Sequence, residues 1–171
     1  MQYSEEHLAR MNRSGQRGGA VGSKPTVVTR MLQRLERDGR IRKDQAVLDF
    51  GAGKRAAQTA LLRDEGWEDV TPHDIGTNSH EEESGSPTGA DVVLLSNVLN
   101  VQDSIESIIT VLTHAWCYAK HGGLLICNLP REPRYGHYGE QDVMQALHWA
   151  GWDIMETEQY GSGRIWICKS R

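Results

Sequence analysis

Gly51-Ala52-Gly53 follows the short apolar run Val47-Leu48-Asp49-Phe50 and leads directly into a helical pattern from Arg55 to Glu65. Bare backbone at a strand-to-helix turn lets a ligand approach closely. The start of the following helix adds unpaired N–H groups and positive partial charge. Asp74 stands twenty-three residues after Gly51, at the end of the next strand-like run, where a carboxylate can accept hydrogen bonds from both hydroxyls of a ribose. A nucleoside-containing cofactor is the direct inference. Gly51 to Ala56 also satisfies the dinucleotide pattern G-x-G-x-x-A, so an NAD(P)-dependent oxidoreductase is an alternative. Asp49 weighs against it, because a carboxylate just before the turn repels a pyrophosphate and suits a cofactor with a cationic amino acid part.

Such a turn works only if strands bring it to one edge of a sheet. Val47 to Phe50 is the first strand, and Asp69 to Asp74 the second, short or at an edge because of Pro72. Asp91-Val92-Val93-Leu94-Leu95-Ser96 and Leu124-Leu125-Ile126-Cys127-Asn128-Leu129 are continuous apolar runs of the kind buried on both faces of a parallel sheet. Between them Ser104 caps a helix from Ile105 to about Lys120, ended by His121-Gly122-Gly123. A helix from Glu140 to Ala150 precedes two strands, Trp152 to Glu158 and Arg164 to Lys169, joined by a turn too short for a crossover. They must pair antiparallel. The fold class is therefore α/β: a Rossmann-like, doubly wound, mostly parallel sheet with a C-terminal antiparallel hairpin, preceded by N-terminal helices.

This ordered set resembles the class I S-adenosylmethionine-dependent methyltransferases over residues 44 to 171. Val47 to Gly53 resembles their first motif, Asp74 the acidic end of their second strand, and Asp91 to Leu99 their fourth-strand motif. Gly122 to Ile126 resembles the fifth strand, and the last hairpin the family's reversed final strand. The resemblance implies S-adenosylmethionine as cofactor, with Gly51 and Gly53 near its amino acid part, Asp49 near its cationic groups, Asp74 on the ribose and Ser96 beside it. It also places the methyl acceptor after the fourth and fifth strands, with Ser96, Asn97, Asn128, Arg131 and Tyr135 as acceptor-side candidates. Two departures stand out. Arg55 replaces the usual third glycine and is expected to crowd the turn. The third-strand region has no counterpart in the polar stretch 76–90, so the loop around His73, Ile75 and Asn78 would cover the base.

Asn128-Leu129-Pro130-Arg131 stands after the wrong strand and lacks the adjacent proline and aromatic residue of amino-methylating DNA enzymes. No cysteine follows the fourth strand to serve cytosine-C5 chemistry. Residues 1–43 carry ten Lys or Arg against four Asp or Glu, while residues 44–171 carry nine against nineteen. A basic segment on an acidic body points to a nucleic acid or nucleotide acceptor, or to a non-catalytic interaction protein whose arm binds a partner. The chain thus divides into a basic helical segment with a glycine-rich loop over 1–43, on the lid or substrate side, and a methyltransferase-like domain over 44–171. With 171 residues, 38% hydrophobic and 25% charged, it is globular. The polar, acidic start and the lack of any long apolar run lead to a cytoplasmic expectation. Cys117, Cys127 and Cys168 are expected to be small buried hydrophobes, and Trp116, Trp149, Trp152 and Trp166 core residues. Glu81-Glu82-Glu83 offers no metal spacing.

Overall fold

The computed structural model describes residues 5, 6, 8, 9, 24–74, 88–130 and 133–171. Helix α1, Val27–Arg37, starts after Thr26, whose side chain accepts the Thr29 N–H, so Pro25 lies just outside the helix rather than in its first turn. Strand β1 (Val47–Phe50), helix α2 (Ala57–Asp64), strand β2 (Val70–His73) and strand β3 (Ala90–Leu95) follow. Then come a 3-10 turn at Leu99–Val101, α3 (Ile105–Tyr118), β4 (Ala119–Leu129), α4 (Glu140–Trp149), β5 (Trp152–Tyr160) and β6 (Gly163–Ser170).

The six strands form one sheet in the order β2-β1-β3-β4-β6-β5. β1 pairs in parallel with β2 and β3, and β3 in parallel with β4. β6 lies antiparallel between β4 and β5. Pro72 sits in β2, at the end of this strand order among the described residues, and because the Asp69 and His73 carbonyls face β1 its missing N–H falls on the side away from that ladder. The expected loop around Ile75 and Asn78 lies outside the described residues.

Alternation along the strands divides the core in two. Val47, Val92, Leu94, Ile126, Ile165 and Ile167 pack with Val28, Leu32 and Leu35 of α1 and with Leu62 and Trp67. Leu48, Phe50, Val93, Leu95, Cys127 and Trp166 pack on the other face with Ile108 and Leu112 of α3 and Val143 and Leu147 of α4. Arg34 of α1 and Arg40 just after it pair with Glu158 and Glu156, joining this segment to the last hairpin.

Three expectations need correction. Helix α3 stops at Tyr118, and β4 begins at once, because Ala119 pairs with Ala90 and Lys120 with Asp91 ahead of an irregularity in the register. Cys117 is exposed, whereas Cys127 and Cys168 are buried on adjacent strands. Trp152 and Trp166 are in the core, but Trp116 and Trp149 are 39% and 58% exposed, since the faces of α3 and α4 they occupy turn away from the sheet.

Candidate active site

All four parallel strands end at one edge of the sheet, and the β5–β6 turn reaches the same edge because β5 runs alongside β4's direction. The chain leaves β1 toward β2 on one side and later returns to β3 on the other, so strand order reverses between β1 and β3. Doubly wound sheets open a ligand crevice at that point. Here it is narrow. A Cβ on Gly51 would come within 2.4 Å of Val98 Cγ2, so the turn after β1 and the segment after β3 touch across it. Gly51 also has φ +86°, which a side chain would strain.

Three successive N–H groups of the turn are already engaged with the end of β2. Gly51 and Ala52 donate to the His73 carbonyl at 2.7 and 3.1 Å, and Gly53 donates to Asp74 Oδ2 at 2.5 Å. These donors would otherwise cradle a phosphate, so the turn as folded does not offer them to a pyrophosphate. The Gly53 bond is one of the several hydrogen bonds that the Asp74 carboxylate can accept. Beneath the turn, Asp49 is buried and accepts the Thr59 hydroxyl at 2.8 Å from α2.

Arg55 lies in the turn ahead of α2. Its side chain is exposed and its φ is not positive. The unusual backbone is instead at Ala56, with φ 43° and ψ 43°, immediately before α2. The helix begins two residues later than the apolar pattern suggests because the chain spends Arg55 and Ala56 on the turn.

On the β3 side, Asn97 adopts φ 57°. Asn128, fully buried at the end of β4, accepts the Asn97 N–H through Oδ1 at 2.8 Å and donates through Nδ2 to Asn97 Oδ1 at 2.8 Å. The same Nδ2 donates to the Tyr160 hydroxyl at 2.7 Å. Two strand ends and the hairpin are thereby fastened together. Burial pushes the Tyr160 phenol above its usual pKa and keeps it neutral. Ser96 follows β3 directly, and its Oγ is buried without a hydrogen-bond partner, as is Asn100 Oδ1 in the 3-10 turn.

Tyr135 is 37% exposed, and Arg131 lies outside the described residues. Tyr138 is buried and donates to the Leu99 carbonyl at 2.5 Å, with Gln102 O at 3.1 Å. It secures the 3-10 turn. The structure thus groups Asp49, Gly51, Gly53 and Asp74 at β1 and β2, and Ser96, Asn97 and Asn128 at β3 and β4. Tyr160 and Thr59 are additions. Nothing in the sequence showed Tyr160 reaching Asn128, because β5 continues through Tyr160, beyond the Glu158 expected to end it.

The sequence matches no family model and no curated protein. Solved structures do match. Magnesium protoporphyrin IX methyltransferase from Synechocystis PCC 6803, with bound S-adenosylmethionine, superposes with TM-score 0.63 at 18% identity, over 100% of this chain and 87% of that one. The 1,6-didemethyltoxoflavin-N1-methyltransferase of Burkholderia thailandensis, with bound 1,6-didemethyltoxoflavin and S-adenosylhomocysteine, gives TM-score 0.70 at 16% identity over 99% and 91%. The chain has the class I S-adenosylmethionine-dependent methyltransferase fold. A TehB-like S-adenosylmethionine-dependent methyltransferase from Corynebacterium glutamicum has this methyltransferase fold too, with TM-score 0.67 at 12% identity over 98% and 100%. Among the described residues no helix is long and apolar enough to cross a membrane.

Proposed function

We propose that the protein transfers a methyl group from S-adenosylmethionine to a small-molecule acceptor. One observation carries the reading: the turn after β1 is drawn onto the end of β2 by the Gly53–Asp74 bond, leaving a carboxylate, rather than a row of N–H donors, at the nucleoside end of the crevice. A carboxylate there suits the ribose of either nucleoside cofactor, and it is the prior engagement of the Gly51, Ala52 and Gly53 N–H groups that disfavours a pyrophosphate and with it the nicotinamide alternative.

The residues present fit the cofactor. Asp74 would accept from the ribose, the backbone at Gly51 and Gly53 would lie against the amino acid part, and Asp49 would supply negative charge beneath its cationic groups. Ser96 would stand at the β3 side. When bound, the cofactor supplies a methyl group already activated on a sulfonium. The chain's own task is then chiefly positioning, because an aligned nucleophile in a fixed geometry meets most of the barrier through proximity. The Asn97–Asn128–Tyr160 hydrogen bonds hold the acceptor side of that geometry.

A small molecule is favoured over a nucleic acid on two grounds. Arg34 and Arg40, part of the basic N-terminal segment, are engaged with Glu158 and Glu156, which reduces the charge offered outward. The structural neighbours named above for their substrates act on a porphyrin and a toxoflavin precursor. The excess of positive charge over 1–43 still supports a second reading, in which the small acceptor carries a phosphate, as a nucleotide does. Calorimetric titration with S-adenosylhomocysteine tests the core of the proposal. Saturable binding is expected; no heat with that ligand, together with protection by NAD, would move the protein to the oxidoreductases.

A further inference from the structure

A backbone group fixes which way the Asn128 amide points. The Asn97 N–H can only donate, so the atom it meets at 2.8 Å is the carbonyl oxygen Oδ1, and the amide nitrogen Nδ2 is the atom that faces Tyr160. Nδ2 can only donate as well. The Tyr160 hydroxyl therefore accepts at 2.7 Å, and its own proton is left for a partner that no described residue supplies. Burial raises the phenol's pKa, so that proton stays on the oxygen at neutral pH.

Gly163 lets the phenol reach this position. Tyr160 pairs with Gly163 at the end of the hairpin, and a Cβ on Gly163 would lie 2.8 Å from Tyr160 Cζ, 2.9 Å from its hydroxyl and 2.8 Å from the Leu129 carbonyl. The ring crosses the start of β6 over bare backbone and ends against β4. A half-buried O–H donor is thereby held at the strand ends, one hydrogen bond from Asn128 and two from Asn97.

A cation stands at the same level. Arg40 pairs with Glu156 and Arg34 with Glu158, so a step toward the start of α1 corresponds to a step toward the end of β5. Four helical residues, from Arg34 back to Arg30, advance about 6 Å, and two strand residues, from Glu158 to Tyr160 on the same face, advance about 6.7 Å. Arg30 is the third rung of this ladder, and Tyr160 stands where the first two rungs have a carboxylate.

Arg30 is exposed and donates through Nη1 to the Pro25 carbonyl at 3.0 Å, which uses one of its five N–H donors. The carboxylates of this corner are matched to other arginines: Glu156 to Arg40, Glu158 to Arg34, and Glu140 to Arg164, the residue after Gly163. A phenol proton and a guanidinium are thus set side by side, both donors and one charged. Such a pair is complementary to an anionic oxygen group.

We propose that Tyr160 and Arg30 bind a carboxylate or phosphate on the methyl acceptor and so select acidic acceptors over neutral ones. This rests on the methyltransferase reading and names its substrate class. The anionic group accepts from the Tyr160 hydroxyl and from the Arg30 guanidinium and takes no part in the transfer itself. It fixes one end of the acceptor, which an aligned transfer requires.

The test uses the full chain saturated with S-adenosylhomocysteine, with benzoate, phenyl phosphate and the neutral benzamide as probes, and follows the tyrosine ring and arginine Nε–H resonances by NMR. At least one anion is expected to shift the Tyr160 and Arg30 signals saturably and to bind about tenfold tighter than benzamide. The tighter of the two anions identifies the acid group. Arg30→Gln, at an exposed position, and Tyr160→Phe, which loses only the hydroxyl, should each weaken that anion about fivefold or more, and Arg30→Lys should recover part of the loss because the charge returns. Benzamide binding as tightly as both anions, or unchanged anion affinity in either Arg30→Gln or Tyr160→Phe, overturns the proposal. Absence of anion binding to the S-adenosylhomocysteine-loaded chain also overturns it, while the methyltransferase reading stands. If S-adenosylhomocysteine itself does not bind, that underlying reading has failed, and the same anion titrations still decide the Tyr160 and Arg30 site.

Discussion

The Asp74 carboxylate accepts the Gly53 N–H at 2.5 Å, so the residue at the end of β2 shapes the turn at the end of β1. Charge-assisted bonds of this kind are worth about 1.5–3 kcal/mol. Asp74→Ala is expected to lower stability by ~2 kcal/mol and to weaken S-adenosylhomocysteine binding by about tenfold or more. Asp74→Asn keeps an oxygen for Gly53 and is expected to recover most of the stability but little of the affinity. Urea unfolding and calorimetry on the two variants separate the roles. Equal affinity in wild type and Asp74→Ala would remove Asp74 from the binding site.

Gly51 is required twice over, by its positive φ and by Val98. Gly51→Ala is expected to cost about 3 kcal/mol, combining backbone strain with overpacking. Adding Val98→Ala removes the close Cγ2 and should restore only the packing part. If the double variant is as stable as Val98→Ala alone in urea, the backbone argument is wrong.

Asn97 and Asn128 form the next test. Asn128→Leu strands the Asn97 N–H and amide and leaves Tyr160 without its donor, for an expected loss of about 3 kcal/mol. At Asn97, glycine tolerates φ 57° whereas alanine does not, so Asn97→Ala should be less stable than Asn97→Gly by about 1 kcal/mol. Reversal of that order in thermal melts would show that the left-handed conformation is not held in solution.

The clamp between α1 and β5 should respond to acid. The Arg34 guanidinium holds the Glu158 carboxyl below its usual pKa. A depressed carboxylate adds stability that is present above its unfolded pKa, about 4.3, and is lost as pH falls through the lower folded value. Both side chains are more than a third exposed, so the effect is small, about 0.5 kcal/mol. Comparing urea midpoints at pH 7 and pH 3, Glu158→Gln should lose less stability on acidification than wild type. An identical loss would assign the acid sensitivity elsewhere.

Much of the fold was legible because local pattern and global arrangement agree. The apolar runs ending in Leu95 and Leu129 are buried parallel strands, and the short link after Tyr160 forces the antiparallel hairpin. Pro72, expected to make its strand short or an edge, lies in a four-residue strand at the end of the sheet order among the described residues. Spacing put the glycine turn and Asp74 at neighbouring strand ends, and the Gly53–Asp74 bond joins them there. What escaped was set by contacts distant in the chain. Tyr160 meets Asn128 across 32 positions, and no periodicity announces a side chain reaching over a strand end. Helix α3 looked longer than it is because Ala119 and Lys120 have helix-compatible identities but are captured by Ala90 and Asp91. Trp116 and Trp149 misled for the opposite reason, as apolar residues placed on outward faces.

The order β4-β6-β5 has a consequence for how the protein comes into being. The outer strand of the hairpin is synthesised before the inner one, so the sheet cannot extend strand by strand as the chain emerges from the ribosome. β5 has no seat until β6 slips between it and β4, and until then the apolar edge of β4 is open to mispairing with other nascent chains. The helix-to-hairpin ion pairs, which join residues 124 positions apart at Arg34 and Glu158, can close only after that insertion. The strand edge that brings Tyr160 to Asn128 is thus completed late, and a nascent chain stalled before Gly163 would hold β1 to β4 without it.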